Sequence, residues 1–150
     1  MTASGRASTA GSSSMPKPGP GGSGTAPSGP DTVRNSAFTD YAYPVNIYDS
    51  IGVVHDNQVV RPSSYGIQVN AFAAPTDSAI ILNNVVTCPT SGASFVRGVY
   101  GANSNFRISG NTIQGCFMGI QLQGGVYGNT AAIRGNTLLG PGNDGGEARG

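Results

Sequence analysis

Phe106-Arg-Ile-Ser-Gly-Asn-Thr-Ile-Gln-Gly-Cys-Phe-Met-Gly-Ile-Gln-Leu122 holds an alternating run, a Gly-Asn turn, a second apolar pair and then Gly-Ile-Gln-Leu. The same design recurs on both sides of it. Asn57, Asn84, Asn111 and Asn136 mark one point in four copies, 27, 27 and 25 residues apart (84−57, 111−84, 136−111). A period of this size points to stacked repeats. Other positions keep the register. Val54, Ile81, Ile108 and Ile133 stand three residues before each Asn, and Val59, Val86, Ile113 and Leu138 stand two after. Gly52, Ala79, Phe106 and Ala131 stand five before. The positions five and three before the Asn are two apart, so they share one face of a strand.

A further short strand reads Gly66-Ile-Gln-Val69, Gly98-Val-Tyr-Gly101 and Gly119-Ile-Gln-Leu122, with Pro44-Val-Asn-Ile47 as a weaker earlier copy. No 3.6-residue period runs through these segments, which speaks against helix. Each repeat is two or three short strands joined by turns. One unit cannot bury its inward side chains, whereas stacked units share a continuous core at a spacing of about 4.8 Å. The Asn column suits such stacking, because side-chain amides can form a hydrogen-bonded ladder. Asn also tolerates the left-handed turn conformation, so the ladder Asn is expected to adopt it.

Asn111-Thr-Ile-Gln-Gly-Cys-Phe-Met-Gly-Ile-Gln-Leu122 and Ile133-Arg-Gly-Asn-Thr-Leu138 resemble the repeats of right-handed parallel β-helix proteins, the pectate-lyase-like superfamily. The resemblance covers roughly residues 45–141. It implies an all-β, right-handed parallel β-helix of about four rungs, with a polysaccharide or other glycan surface as partner. It also implies an extracellular or cell-surface location. Such repeats carry scaffold rather than chemistry, so the resemblance says less about function than about fold.

Composition sets the limits. With a formal charge of +1 and 10% charged residues, the chain lacks the basic footprint of a nucleic-acid binder. No apolar run is long enough for a membrane-spanning helix. Residues 1–36 are mostly Ser, Gly, Thr, Ala and Pro, which bury too little to offset their ordering entropy, and are expected to form a disordered tail. They contain no apolar core of a signal peptide. Residues 37–141 form the β-helix and residues 142–150 a flexible tail, so the helix is expected to end after the first strand of its fourth rung. The aromatics Phe38, Tyr41, Tyr43 and Tyr48 begin or cover the first rung. With no evident cap at the far end, further rungs or a homo-oligomer are expected to cover it.

Candidate functional residues fall into three groups. His55, the single histidine, lies beside Asp56, and the outward columns add Arg107 and Arg134. An exposed His near a carboxylate and two Arg can transfer protons or hold a uronate, and can equally be a surface imidazole at a turn. Outward Gln68, Tyr100 and Gln121, joined by Asn46, make a ridge suited to sugar. Amides supply donors and acceptors, and the phenol ring offers a face for pyranose C–H groups. The insertion Pro89–Arg97 offers Ser91, Ser94 and Arg97, and Tyr127 lies near the ridge. Cys88 and Cys116 come close together in adjacent rungs, as a disulfide or as two stacked small apolar residues.

The enzymatic chemistry of the resembled superfamily is not legible. A hydrolase needs a carboxylate pair at suitable separation, and none is paired by sequence or by column. The Asn-Thr-Asp and Gly-His-Gly patterns of polygalacturonases, the Ca²⁺-binding Asp clusters of pectate lyases and the Asp-Pro-His pattern of epimerases do not occur. Two Cys make no zinc site, and neither metal nor cofactor is expected. The expectation is a β-helix scaffold or binding module presenting a polar ridge to carbohydrate. The alternative is a fragment of a polysaccharide lyase, glycoside hydrolase or epimerase using His55 and Asp56, with Arg107 and Arg134 on the working face.

Overall fold

The computed structural model describes residues 31–48, 52–70, 78–89, 95–124, 130–140 and 147–149. The tail at residues 1–30, Ser91, Ser94, Tyr127 and residues 142–146 lie outside the described residues.

The chain is an all-β parallel solenoid of about four turns, with no helix among the described residues. Three strands make each turn. The first sheet stacks β1 (Asp31–Arg34), β4 (Gly52–His55), β7 (Ser78–Leu82), β10 (Asn105–Ser109) and β13 (Ala131–Arg134). The second stacks β2 (Ala37–Thr39), β5 (Gln58–Val60), β8 (Val85–Thr87), β11 (Thr112–Gln114) and β14 (Thr137–Leu139). The third stacks β3 (Val45–Tyr48), β6 (Tyr65–Asn70), β9 (Arg97–Ala102), β12 (Met118–Gln123) and β15 (Glu147–Arg149). Every pairing is parallel, and the columns read from the sequence keep their register: Val54, Ile81, Ile108 and Ile133 lie one above another, as do Val59, Val86, Ile113 and Leu138.

Two boundaries move. β1 stacks on β4 from Asp31, inside the stretch expected to be tail, so the first layer is β1, β2 and β3. At the other end β15 pairs with β12, so the last layer has its third side and does not stop after one strand. The first layer escapes the Asn period because Ser36 occupies the ladder position, where its N–H donates to Asn57 Oδ1 at 3.1 Å.

The inward side chains form one continuous core. Val54, Ile81, Ile108, Val59, Val86 and Ile113 are all buried, as are Ile67, Val69, Val99, Ile120 and Leu122 of the third sheet. Outward Val53, Ile80 and Leu82 are half-buried, so the apolar run Ala79-Ile-Ile-Leu82 keeps its phase with Ala79 and Ile81 inside. Bulk is traded across the core. Phe106 stands where other layers have Gly52 and Ala79, and its ring fills the space beside Gly101, where a Cβ would lie 2.5 Å from Phe106 Cζ.

Asn57, Asn84 and Asn111 run through the corner between the first and second sheets. Each Nδ2 donates to the next Oδ1, at 3.0, 2.9 and 2.9 Å along Asn57, Asn84, Asn111 and Asn136. Each backbone N–H donates to that same next oxygen, at 3.0, 2.9 and 2.9 Å. The second Nδ2 hydrogen reaches back to a carbonyl of the preceding layer, as Asn84 does to Val54 at 3.0 Å. The turn itself is not made by these residues. The left-handed backbone falls on the residue before each: Asn35 (φ 50°), Asp56 (φ 56°), Asn83 (φ 53°), Gly110 (φ 67°) and Gly135 (φ 59°). That expectation is corrected by one position, and the column still uses the residue types that tolerate φ > 0.

Cys88 and Cys116 form a disulfide across 28 residues, joining two adjacent layers inside the core. Closing a loop of that length restricts the unfolded chain. The Cys88→Ser, Cys116→Ser double variant is therefore expected to lose about 3 kcal/mol in urea unfolding. An unchanged midpoint would show that stacking alone sets the stability of these layers.

Candidate functional site

The outer face of the third sheet carries a connected network of rings, amides and one guanidinium. Its register puts Asn46, Gln68, Tyr100 and Gln121 in one column, as the sequence spacing expects. The neighbouring column runs Tyr65, Arg97 and Met118, each just before its Gly. Tyr43 stacks on Tyr65 with centroids 5.6 Å apart, and Tyr65 meets Tyr100 at 5.0 Å. The Arg97 guanidinium carbon lies 5.1 Å from the Tyr65 centroid and 6.0 Å from that of Tyr100. Arg97 also donates from Nε to Gln121 Oε1 and from an Nη to the Phe95 carbonyl at 3.3 Å. Tyr100 donates its hydroxyl to Gln123 Oε1 at 2.8 Å.

This arrangement explains why β-strands are the right support. Outward residues of successive layers lie about 4.8 Å apart, close enough for ring-to-ring contact without any loop to hold them. Phe95, 75% exposed, faces Phe117 at 5.9 Å and extends the aromatic strip past Arg97. Gln68 contributes a different feature: its side-chain oxygen is buried without a hydrogen-bond donor. Tyr43, Tyr65 and Gln123 are absent from the sequence-based site. Tyr65 stands just ahead of the repeated Gly, the position of Arg97, and Tyr43 just ahead of Pro44 in the weaker copy, whereas Gln123 lies one residue past Leu122, where the repeat carries no signal.

Burial raises the pKa of Tyr100 above the ordinary tyrosine value, the nearby Tyr65 adds to this, and the Arg97 charge opposes it. The folded state thus favours the neutral phenol. That contribution is full below the free tyrosine pKa of about 10 and is lost as pH rises through the folded-state value. In an ultraviolet titration of the folded protein, the phenolate signal missing from a Tyr100→Phe variant is expected at higher pH than that of free tyrosine. A Tyr100 signal at or below the free value would show that Arg97 outweighs burial.

The proton-transfer candidates are less gathered. His55 Nδ1 lies 2.6 Å from Asp56 Oδ2, and this bond is the main cause of a lowered Asp56 pKa. Asp56 holds its left-handed turn beside a shallow open cleft of about 500 Å³ that Asn35, Gln58, Asn83 and Val85 also line. Arg107 and Arg134 do not join this pair. Leu82 and Ser109 stand between His55 and Arg134 in their column, a separation of about 14 Å at three strand spacings. Arg107 lines a different open cleft, with Ile80, Thr130 and Ala132. The cation in the strand next to His55 is Arg34. Among the described residues no group of three or more His, Cys, Asp and Glu could hold a metal ion. No helix among them is long and apolar enough to cross a membrane.

No family model matches the chain, and comparison with curated proteins and solved structures finds no match. What the structure defines is therefore a class, the parallel β-solenoid with a buried asparagine ladder. Kinship with the pectate-lyase-like superfamily is not established.

Proposed function

We propose that the protein is a β-solenoid binding module that presents the outer face of its third sheet to a glycan, within a larger or oligomeric assembly. The observation that carries this reading is the Tyr43–Tyr65–Tyr100 array with Arg97 held against it. Aromatic faces take the C–H face of a pyranose, and Gln121, Gln123 and Asn46 supply hydroxyl partners. The buried Gln68 oxygen is an acceptor without a donor, and a sugar hydroxyl that displaces a neighbouring ring would supply one. The disulfide favours an oxidising, extracellular or cell-surface setting.

Affinity electrophoresis through a panel of neutral and acidic polysaccharides tests the reading. At least one is expected to retard the protein, and Tyr65→Ala or Tyr100→Ala to weaken binding about tenfold or more, the loss of one stacked ring. Absence of retardation by every glycan, with the protein shown to be folded, would falsify it.

A second reading rests on the short His55–Asp56 hydrogen bond, which orients an imidazole with Nε2 left for a substrate proton. In that reading the chain is part of a polysaccharide lyase, hydrolase or epimerase, in keeping with the superfamily its repeats resemble. Cleaved or unsaturated products that vanish in His55→Ala would establish it.

A further inference from the structure

The asparagine ladder has a direction. Each backbone N–H and each Nδ2 donates toward the layer that follows, and each Oδ1 accepts from the layer before. At Asn136 the ladder reaches the last described layer, and no described layer follows to accept its backbone N–H. The core is open at the same place. Ile133 is 44% exposed and Leu138 38%, whereas Ile108 and Ile113 one layer below are at 0% and 1%. At the opposite end the ladder position is Ser36, whose hydroxyl donates to the Arg34 carbonyl at 2.9 Å and keeps its lone pairs as acceptors. The inward residues there are Val33 and Phe38, only partly buried. The two ends are complementary: donors and apolar Ile133 and Leu138 on one, an acceptor and apolar Val33 and Phe38 on the other.

We propose that a second copy of this chain stacks head to tail on the first, its β1–β2–β3 layer seated on the β13–β14–β15 layer of its neighbour. The occupant follows from the ladder. A tail-to-tail dimer would set the Asn136 donors against each other, whereas the head-to-tail stack gives them the Ser36 hydroxyl and continues all three sheets in parallel. Ile133 then lies against Val33 and Leu138 against Phe38, the columns these residues already occupy within one chain. Two contacts oppose the stack: Arg134 comes into the column of Arg34, a like-charge pair that salt screens, and Asp31, which heads the inward column of Gly52, brings a carboxylate against Ala131. A head-to-tail interface of this kind does not close on itself, so it builds chains of copies.

Two variants block one end each. Leu138→Lys places a charge on the exposed core of the last layer. Thr39→Pro acts on the first: the Ser36 carbonyl and the Asp40 N–H both face β5, so the alternation turns the Thr39 N–H to the open edge, and proline removes it without touching the existing pairing. In analytical ultracentrifugation the wild-type chain is expected to reach about twice the monomer mass or more as concentration rises, and more so at high salt. Each variant alone is expected to sediment as a monomer, and an equimolar mixture of the two to form heterodimers and nothing larger. A wild type that stays monomeric at every concentration overturns the proposal. So does Thr39→Pro remaining dimeric by itself, the mark of a tail-to-tail contact, or association that neither variant reduces.

Discussion

Asn84→Ala is expected to cost about 4–6 kcal/mol, a large share of the roughly 5–15 kcal/mol that holds an ordinary domain folded. Asn84 is fully buried and works in both directions along the ladder. Its Oδ1 accepts from the Asn57 N–H and the Asn57 Nδ2, both at 3.0 Å. Its Nδ2 donates to Asn111 Oδ1 at 2.9 Å and to the Val54 carbonyl at 3.0 Å. Alanine therefore orphans two donors and a carbonyl in a place closed to water, at about 1–3 kcal/mol each. Asn136→Ala is the informative control. It removes the acceptor of the Asn111 N–H and Nδ2 in the same geometry, but at the open end, where water replaces it. Its cost is expected to be about 1–2 kcal/mol. Chemical denaturation of the two variants side by side measures the difference. Equal losses would mean that the ladder stabilises through its hydrogen bonds alone and not through their isolation from water.

That contrast also shows which parts of the fold were legible in the sequence. A buried position in a stacked repeat has the same neighbours in every layer, so it is filled the same way in every copy, and the period of Asn57, Asn84, Asn111 and Asn136 follows. Of the first layer, β1 falls outside the range the period marks because Ser36 serves as a ladder member with its backbone alone. Its flanking columns were present all the same: Val33 stands three before Ser36 and Phe38 two after. The left-handed turn was placed one residue late because both members of Asn83-Asn84 suit it, and periodicity does not say which carries the turn and which the ladder. Gly110 and Gly135 carried that signal, since a glycine in the column before the Asn marks the position that needs φ > 0.

The candidate site was legible by column and not by neighbourhood. Asn46, Gln68, Tyr100 and Gln121 share an outward column because strand alternation and register suffice to place them. The gathering of Tyr43, Tyr65 and Arg97 around Tyr100 depends on side-chain reach across two columns, which spacing does not encode. His55, Arg107 and Arg134 illustrate the opposite relation of column to neighbourhood. All three point outward from one sheet, yet intervening layers hold them apart, so a shared face is not a shared site.

Gly98→Ala is expected to be the most damaging glycine-to-alanine change among the described residues, at about 3–5 kcal/mol, beyond the usual overpacking range of about 1–3. The backbone at Gly98 is not left-handed, so conformational freedom is not the reason for glycine there. The reason is space. A Cβ at Gly98 would sit 2.6 Å from the Gly119 carbonyl oxygen of the next layer, in hard contact with Ile113 Cγ2, and 3.4 Å from Cys116 Sγ. Neither the carbonyl nor a buried β-branched methyl can swing aside, and the disulfide pins Cys116, so β9 and β12 would have to part. Gly66 meets the same obstacle one layer earlier, with the Gly98 carbonyl at 2.6 Å. Gly135→Ala separates the two causes. It has a φ of 59° but nothing within 4 Å of a new methyl, so it is expected to cost only about 1 kcal/mol of backbone strain. Thermal unfolding of Gly98→Ala and Gly135→Ala side by side tests the ranking. If Gly98→Ala proves as mild as Gly135→Ala, the layers can separate locally at low cost, and the tight stacking that holds the Tyr65–Arg97–Tyr100 array in place is not what keeps this face rigid.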